Sequence, residues 1–248
     1  MNDRVENYSE LSSTAVCETI QKLARRIQER FPDLGLASVA AELVRLADEN
    51  ERVVRHVRRP LWWLRALTVL TIITLIAVVL WAASQLMSIA KSGTGSVTEL
   101  LQGVDAASNE LILLSLAVLF LASLENRMKR RTALRMLHRL RSLAHVVDMH
   151  QLTKDPEHVV RPFATTASSP VRTLSRAQLA RYLDYCSELL ALTSKLAALH
   201  AQHLQDPVVL DAVNDIESLT SDLSRKIWQK ITILDTAARQ DSDIPTKG

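Results

Sequence analysis

Apolar positions follow two regimes along this chain: long unbroken runs in the middle and helical stripes on either side. Residues 66–90 are twenty-five positions without a charge, led by Leu67, Val69, Leu70, Ile72, Ile73, Leu75, Ile76, Val78, Val79 and Leu80. At about 1.5 Å per residue this run reaches roughly 37 Å, more than the roughly 30 Å of a bilayer's hydrocarbon core. It predicts a membrane-spanning helix. Trp62 and Trp63 suit the headgroup layer, and Arg65 can reach back toward Arg55, Arg58 and Arg59. A second apolar run, residues 111–124, covers only about 21 Å. The expected helix is therefore extended to 106–126, which carries Glu110 to membrane depth, where an ionisable residue is a functional candidate, against a re-entrant segment or a locally thinned bilayer with Glu110 at the headgroups.

The flanking segments alternate at the helical period. Val16, Ile20, Leu23, Ala24, Ile27 and Phe31 predict one amphipathic helix, started by Ser13 or Thr14 and stopped at Pro32. Leu36, Val39, Ala40, Leu43, Leu46, Ala47, Val54 and Val57 predict a second, running into Pro60. This hairpin is too small to hide both stripes, so it is expected to dock on the C-terminal helices or on another copy. Beyond residue 126 the helix should continue, since no Gly or Pro interrupts residues 111–154. Its apolar stripe is Leu134, Leu137, Leu140, Ala144 and Val147, and Arg127, Arg131, Arg135, His138, Ser142 and His145 lie on a neighbouring face. Asp155, Pro156 and Glu157 have the chemistry of a helix start. Ser175 and Gln178 form a capping box ahead of Leu179, Leu183, Cys186, Leu190, Leu196 and Leu199. Asp206 and Pro207 then open a returning helix with Val209, Val213, Ile216, Leu219, Leu223, Ile227, Ile231 and Leu234 near heptad spacing.

The expected fold class is an all-α integral membrane protein, with two transmembrane helices per chain and N- and C-terminal cytoplasmic helical hairpins. Its divisions are an N-terminal hairpin over 1–60, a first span over 61–90, an outer connection over 91–105 and a second span over 106–126. A basic helix over 127–160, a linker over 161–174, a C-terminal antiparallel hairpin over 175–237 and a disordered tail over 238–248 complete it. Charge fixes the expected topology. Arg55, Arg58 and Arg59 precede the first span and Arg127, Lys129, Arg130 and Arg131 follow the second, while residues 91–110 hold one Lys against Glu99, Asp105 and Glu110. The positive-inside rule puts both termini in the cytoplasm, and the expected location is a bacterial inner membrane. The first sixty residues carry ten basic and ten acidic side chains, a composition no signal peptide has. Cys17 and Cys186 then fall in a reducing compartment, as small packing residues.

No phosphate loop, dinucleotide glycine motif, nucleophile elbow or cysteine-rich zinc pattern is present, so no enzyme activity, cofactor or metal centre is expected. His200 and His203, or His145 with Asp148, have ligand spacing but lack a third ligand. Two constellations remain. Thr68, Thr71, Thr74, Gln85, Ser115 and Ser123, with Glu110 and Glu125 toward the two ends, could line a cation-favouring pore, against a reading in which the hydroxyls serve helix packing. Two spans cannot enclose a pore, so this requires a homo-oligomer of about four or more copies in the lipid bilayer. Arg131, Arg135, His138, Arg139, Arg141 and His145 could bind a phosphate-bearing ligand, a nucleotide or short nucleic acid, against readings as topology signal or lipid contact.

In plan, residues 52–149 resemble the two-transmembrane effectors of bacterial immunity known as the SLATT class. The likeness rests on two spans, a short outer connection and a basic helix below the second span, without a residue-level motif. It implies pore formation in anti-phage defence, controlled by a nucleotide or oligonucleotide messenger from a nucleotidyltransferase encoded nearby. The rival expectation is a non-conducting membrane-anchored scaffold that recruits a partner through its C-terminal hairpin.

Overall fold

The computed structural model describes residues 10–58, 61–92, 97–154, 156 and 174–242. These form six helices and no strand: α1 (Ser13–Arg30), α2 (Gly35–Arg58), α3 (Trp62–Ser92), α4 (Val97–Leu152), α5 (Arg176–His203) and α6 (Pro207–Ser242). The helices separate into two compact units, one from Arg59–Arg131 and one from Met1–Arg58 with Thr132–Gly248. Residues 1–9 of the expected N-terminal hairpin, Asp155 and Glu157 of the expected helix start and residues 161–173 of the expected linker lie outside the described residues.

The larger unit is a bundle of α1, α2, α5, α6 and the last third of α4. Val16, Cys17, Ile20, Leu23 and Ile27 bury one face of α1. The cap of α1 is Ser12, whose hydroxyl accepts the Ala15 N–H at 3.3 Å, one position before the expected Ser13 or Thr14. The N-terminal hairpin docks within its own chain, on α5. That helix is buried well beyond one stripe: Tyr182, Tyr185, Leu189, Leu192, Thr193, Ala197 and His200 join the predicted apolar positions, so α5 is the central member of the bundle. Phe31, just past α1, sits edge-on to Tyr182 and Tyr185 at ring distances of 5.6 and 6.2 Å and closes one end. The capping box of α5 is formed in both directions, Gln178 N–H to the Ser175 hydroxyl and Ser175 N–H to Gln178 Oε1.

On α6 the buried series is Val209, Val213, Ile216, Thr220, Leu223, Ile227, Ile231, Leu234 and Ala237. Thr220 takes the core position expected of Leu219. A hydroxyl is tolerated there because it donates to the Ile216 and Glu217 carbonyls, leaving its methyl to pack. Asp206 caps α6 by accepting the N–H groups of Val208 and Val209. The helix continues to Ser242, so residues 238–242 of the expected disordered tail are helical.

The smaller unit is a helical hairpin of α3 and the first part of α4. Two helices are long and apolar enough to cross a membrane, Trp62–Gln85 and a stretch within Leu101–Leu152. Helix α4 begins at Val97, inside the stretch expected to be the outer connection, which lengthens the second apolar helix and sets Glu110 well within it. Leu64, Thr68, Thr71, Leu75, Val78 and Ala82 are the covered or half-covered positions of α3, spaced alternately four and three apart, while most of the remaining surface is exposed. That spacing is the seam of a two-helix coiled packing. The exposed remainder includes Trp62, Ile73, Leu80, Trp81, Ile112, Leu116 and Leu119, an apolar surface fit for lipid or for other apolar helices.

Candidate functional site

Helix α4 supplies most of the candidate side chains, and the bundle sorts them by face. Ala133, Met136, Leu137, Leu140, Leu143, Ala144 and Val147 point into the core. That orientation turns Arg135, His138, Ser142 and His145 outward, at intervals of three and four residues, onto one exposed strip. Arg135, His138 and His145 have no ion-pair partner among the described residues. Arg131, the last residue of the smaller unit, is likewise exposed. Over this strip no acidic side chain of α4 intervenes before Asp148, which accepts a hydrogen bond from Gln151 Nε2 at 2.6 Å.

Arg139 and Arg141 fall to either side of the strip and are engaged. Arg139 is paired with Glu49 of α2. Arg141 Nη1 lies 3.6 Å from Asp215 Oδ2 of α6. The six expected ligand residues therefore divide into four exposed side chains without ion pairs among the described residues and two whose charge the bundle already matches. Both pairs are substantially exposed, so each contributes at most about 1 kcal/mol to stability. An anion can compete for them at similarly small cost.

In the hairpin, the hydroxyls of Thr68, Thr71 and Thr74 donate to the carbonyls of Leu64, Leu67 and Leu70 at 2.9, 2.9 and 3.0 Å. Ser123 donates to the Phe120 carbonyl at 2.8 Å, and Ser115 is half-buried. Thr68 and Thr71 stand on the α3 seam. Glu125 Oε2 is 3.3 Å from Arg65 Nε and Oε1 is 2.8 Å from Lys129 Nζ. Its charge is matched within the chain by two cations, and the triad ties α3 to α4. Gln85 and Glu110 meet in an apolar cleft near the other end of the hairpin.

The partners of these residues escaped the sequence reading. Helices that end at Ser92 and begin at Val97 bring Arg65 opposite Glu125, a register that could be read only once the start of α4 was known. Glu49 and Asp215 are distant in sequence from Arg139 and Arg141, and no local pattern announces them. Trp81 and Gly103, which line the cleft, gave no signal either.

Two buried polar side chains of the bundle, His200 and Asn50, satisfy one another. His200 Nε2 is 2.6 Å from Asn50 Oδ1, and Asn50 Nδ2 donates to the Leu196 carbonyl at 3.3 Å. Burial, with a smaller contribution from His203, pushes the His200 imidazole down to about 4. Neutral His200 thus donates from Nε2 to Asn50, an interhelical bond rather than half of a metal site. Burial pushes the Cys186 thiol up to about 12 and raises that of Cys17, so both remain protonated packing groups. Among the described residues no group of three or more His, Cys, Asp or Glu side chains could hold a metal.

Compared with known protein families, curated proteins and solved structures, the chain has no match.

Proposed function

We propose that the chain is one subunit of a homo-oligomeric membrane channel or pore-forming effector, gated through α4 by a phosphate-bearing ligand. The observation that carries this reading is the strip of Arg135, His138 and His145, exposed and without ion pairs, on a helix unbroken from Val97 to Leu152. At 1.5 Å per residue α4 is about 84 Å long. A ligand on this strip acts directly on α4, the helix that also carries the second apolar stretch. Several copies around an axis would multiply a few Arg and His side chains per chain into an anion site.

The basic flanks of both spans favour cytoplasmic termini in a bacterial inner membrane. The resemblance of plan to SLATT-class effectors supports a place in anti-phage defence, with a nucleotide or short oligonucleotide as ligand. Currents across planar bilayers from purified protein, with and without adenine tetranucleotides and cyclic dinucleotides, test the reading. Discrete currents that change on addition are expected. Silence from folded, inserted protein would overturn it.

A second reading, the non-conducting scaffold, is favoured by the hydroxyls of Thr68, Thr71 and Thr74, which donate to their own helix backbone, and by the internal neutralisation of Glu125. Since α5 is central to the bundle, deleting the C-terminal hairpin would unfold the unit and decide nothing. Trp228, 53% exposed on α6, is a better probe. Under the scaffold reading Trp228→Ala weakens partner capture; under the channel reading it leaves currents unchanged.

A further inference from the structure

We propose that the cleft between α3 and α4 near the Ser92 and Val97 ends of the hairpin binds a small lipophilic organic cation. The cleft measures about 650 Å³ and is walled mainly by aliphatic side chains and glycine, with Trp81 and Gln85 from α3 and Gly103 and Glu110 from α4. That volume lies within the range of small-molecule sites, about 300–1,000 Å³.

Among the described residues Glu110 is the one ionisable side chain lining the cleft, and none of them forms an ion pair with it. Glu125, the acid at the other end of the same hairpin, holds both Arg65 and Lys129. The contrast matters because a carboxylate among apolar walls in a membrane-spanning helix is costly unless a positive charge stands beside it. A cation bound in the cleft would supply that charge for Glu110. The Ser108 hydroxyl, also in the lining, donates its proton to the Val104 carbonyl at 2.7 Å and so has none for Glu110.

The lining also selects the kind of cation. Calcium or magnesium takes about six or more oxygen ligands, whereas the side chains lining this cleft offer one carboxylate, one amide and one hydroxyl. An organic cation with a diffuse charge needs only one counter-ion, covers the apolar walls with its own carbon surface and can place its charge against the Trp81 indole. Trp81 and Glu110 are both exposed, so the cleft is open to an entering molecule. Gly103 leaves room on the α4 side, where an added Cβ would meet nothing within 4 Å.

The test uses the full chain in phosphatidylcholine nanodiscs, titrated with tetraphenylphosphonium by calorimetry, with empty nanodiscs as the baseline for partitioning. Tetraphenylborate, of similar size and opposite charge, serves as the control ion. One saturable site per chain is expected for the phosphonium and only baseline partitioning for the borate. Glu110→Gln should weaken binding at least tenfold, whereas Glu110→Asp should retain most of it. Gly103→Trp should block the cleft with the carboxylate intact. Circular dichroism and elution volume establish that each variant is folded. Binding no greater than in empty nanodiscs, equal binding by Glu110→Gln, or saturable binding of the borate would overturn the proposal. Because binding is read without current, this site stands or falls separately from the channel reading.

Discussion

Protonating His200 would place a charge inside the packed contact of α2 and α5, where its ring bonds to the Asn50 amide, itself held by the Leu196 carbonyl. Folding lowers its pKa from 6.5 to about 4, so the unfolded chain takes up the proton first as the pH falls. Stability from this group is complete above pH 6.5 and is lost progressively between 6.5 and 4. The upper bound is about 3 kcal/mol, from about 1.4 kcal/mol per pKa unit. Urea unfolding of the full chain in a zwitterionic detergent, at pH 7.5 and 4.5, should show this loss. His200→Gln keeps an N–H donor for Asn50 without a titratable ring and should flatten the dependence; equal slopes would remove His200 from the explanation. Glu125 gives a second case. Glu125→Gln leaves Arg65 and Lys129 facing each other uncompensated and should lower the melting temperature of the full chain, a loss that Arg65→Gln in the same variant partly restores.

One close approach shows how helices meet within the bundle. A Cβ built on Gly35 would lie 2.3 Å from His150 Cε1, so the start of α2 abuts the end of α4. Gly35→Ala therefore sets the helix-propensity gain of alanine, up to about 1 kcal/mol, against displacement of an imidazole. Net destabilisation is expected with His150 in place and stabilisation when His150→Ala is combined with it. A denaturant-unfolding cycle of the four proteins checks the sign, and additivity would show that the ring moves freely. Helix α4 carries a different prediction. Three glycines inserted after Arg131 should leave nucleotide binding at the basic strip intact, read by fluorescence anisotropy, while abolishing its effect on current. An unchanged current response would show that coupling does not run along this helix.

Much of the fold was legible because helical periodicity is local: the stripes of α1, α2 and α6, the capping box at Ser175 and the cap at Asp206 all follow from residues a few positions apart. The start of α4 was not. Gly103 and three acids resemble a loop, yet one glycine costs a helix only about 1 kcal/mol, and α4 runs through it. The cap of α1 fell among three consecutive hydroxyl residues, Ser12, Ser13 and Thr14, which periodicity cannot rank. The outward face of Arg135, His138 and His145 was readable from spacing against Leu137, Leu140 and Ala144. The engagement of Arg139 by Glu49 and of Arg141 by Asp215 was not, because those partners arrive only when the bundle closes.

For the molecule as a whole, the account joins an apolar hairpin able to cross a membrane, a helical bundle with a satisfied interior and a basic strip left outside it. Its central claim is that anions on this strip control conduction. The most direct measurement is single-channel current from the purified full chain in planar bilayers, with an adenine tetranucleotide added on the side of the termini. The wild-type protein should show discrete currents whose open probability changes with the tetranucleotide, and Arg135→Ala with His138→Ala should abolish that change while leaving basal current intact. An open probability indifferent to the tetranucleotide in the wild type, or an equal response in the double variant, would contradict the claim. No current from protein shown to be folded and inserted would transfer the assignment to the scaffold.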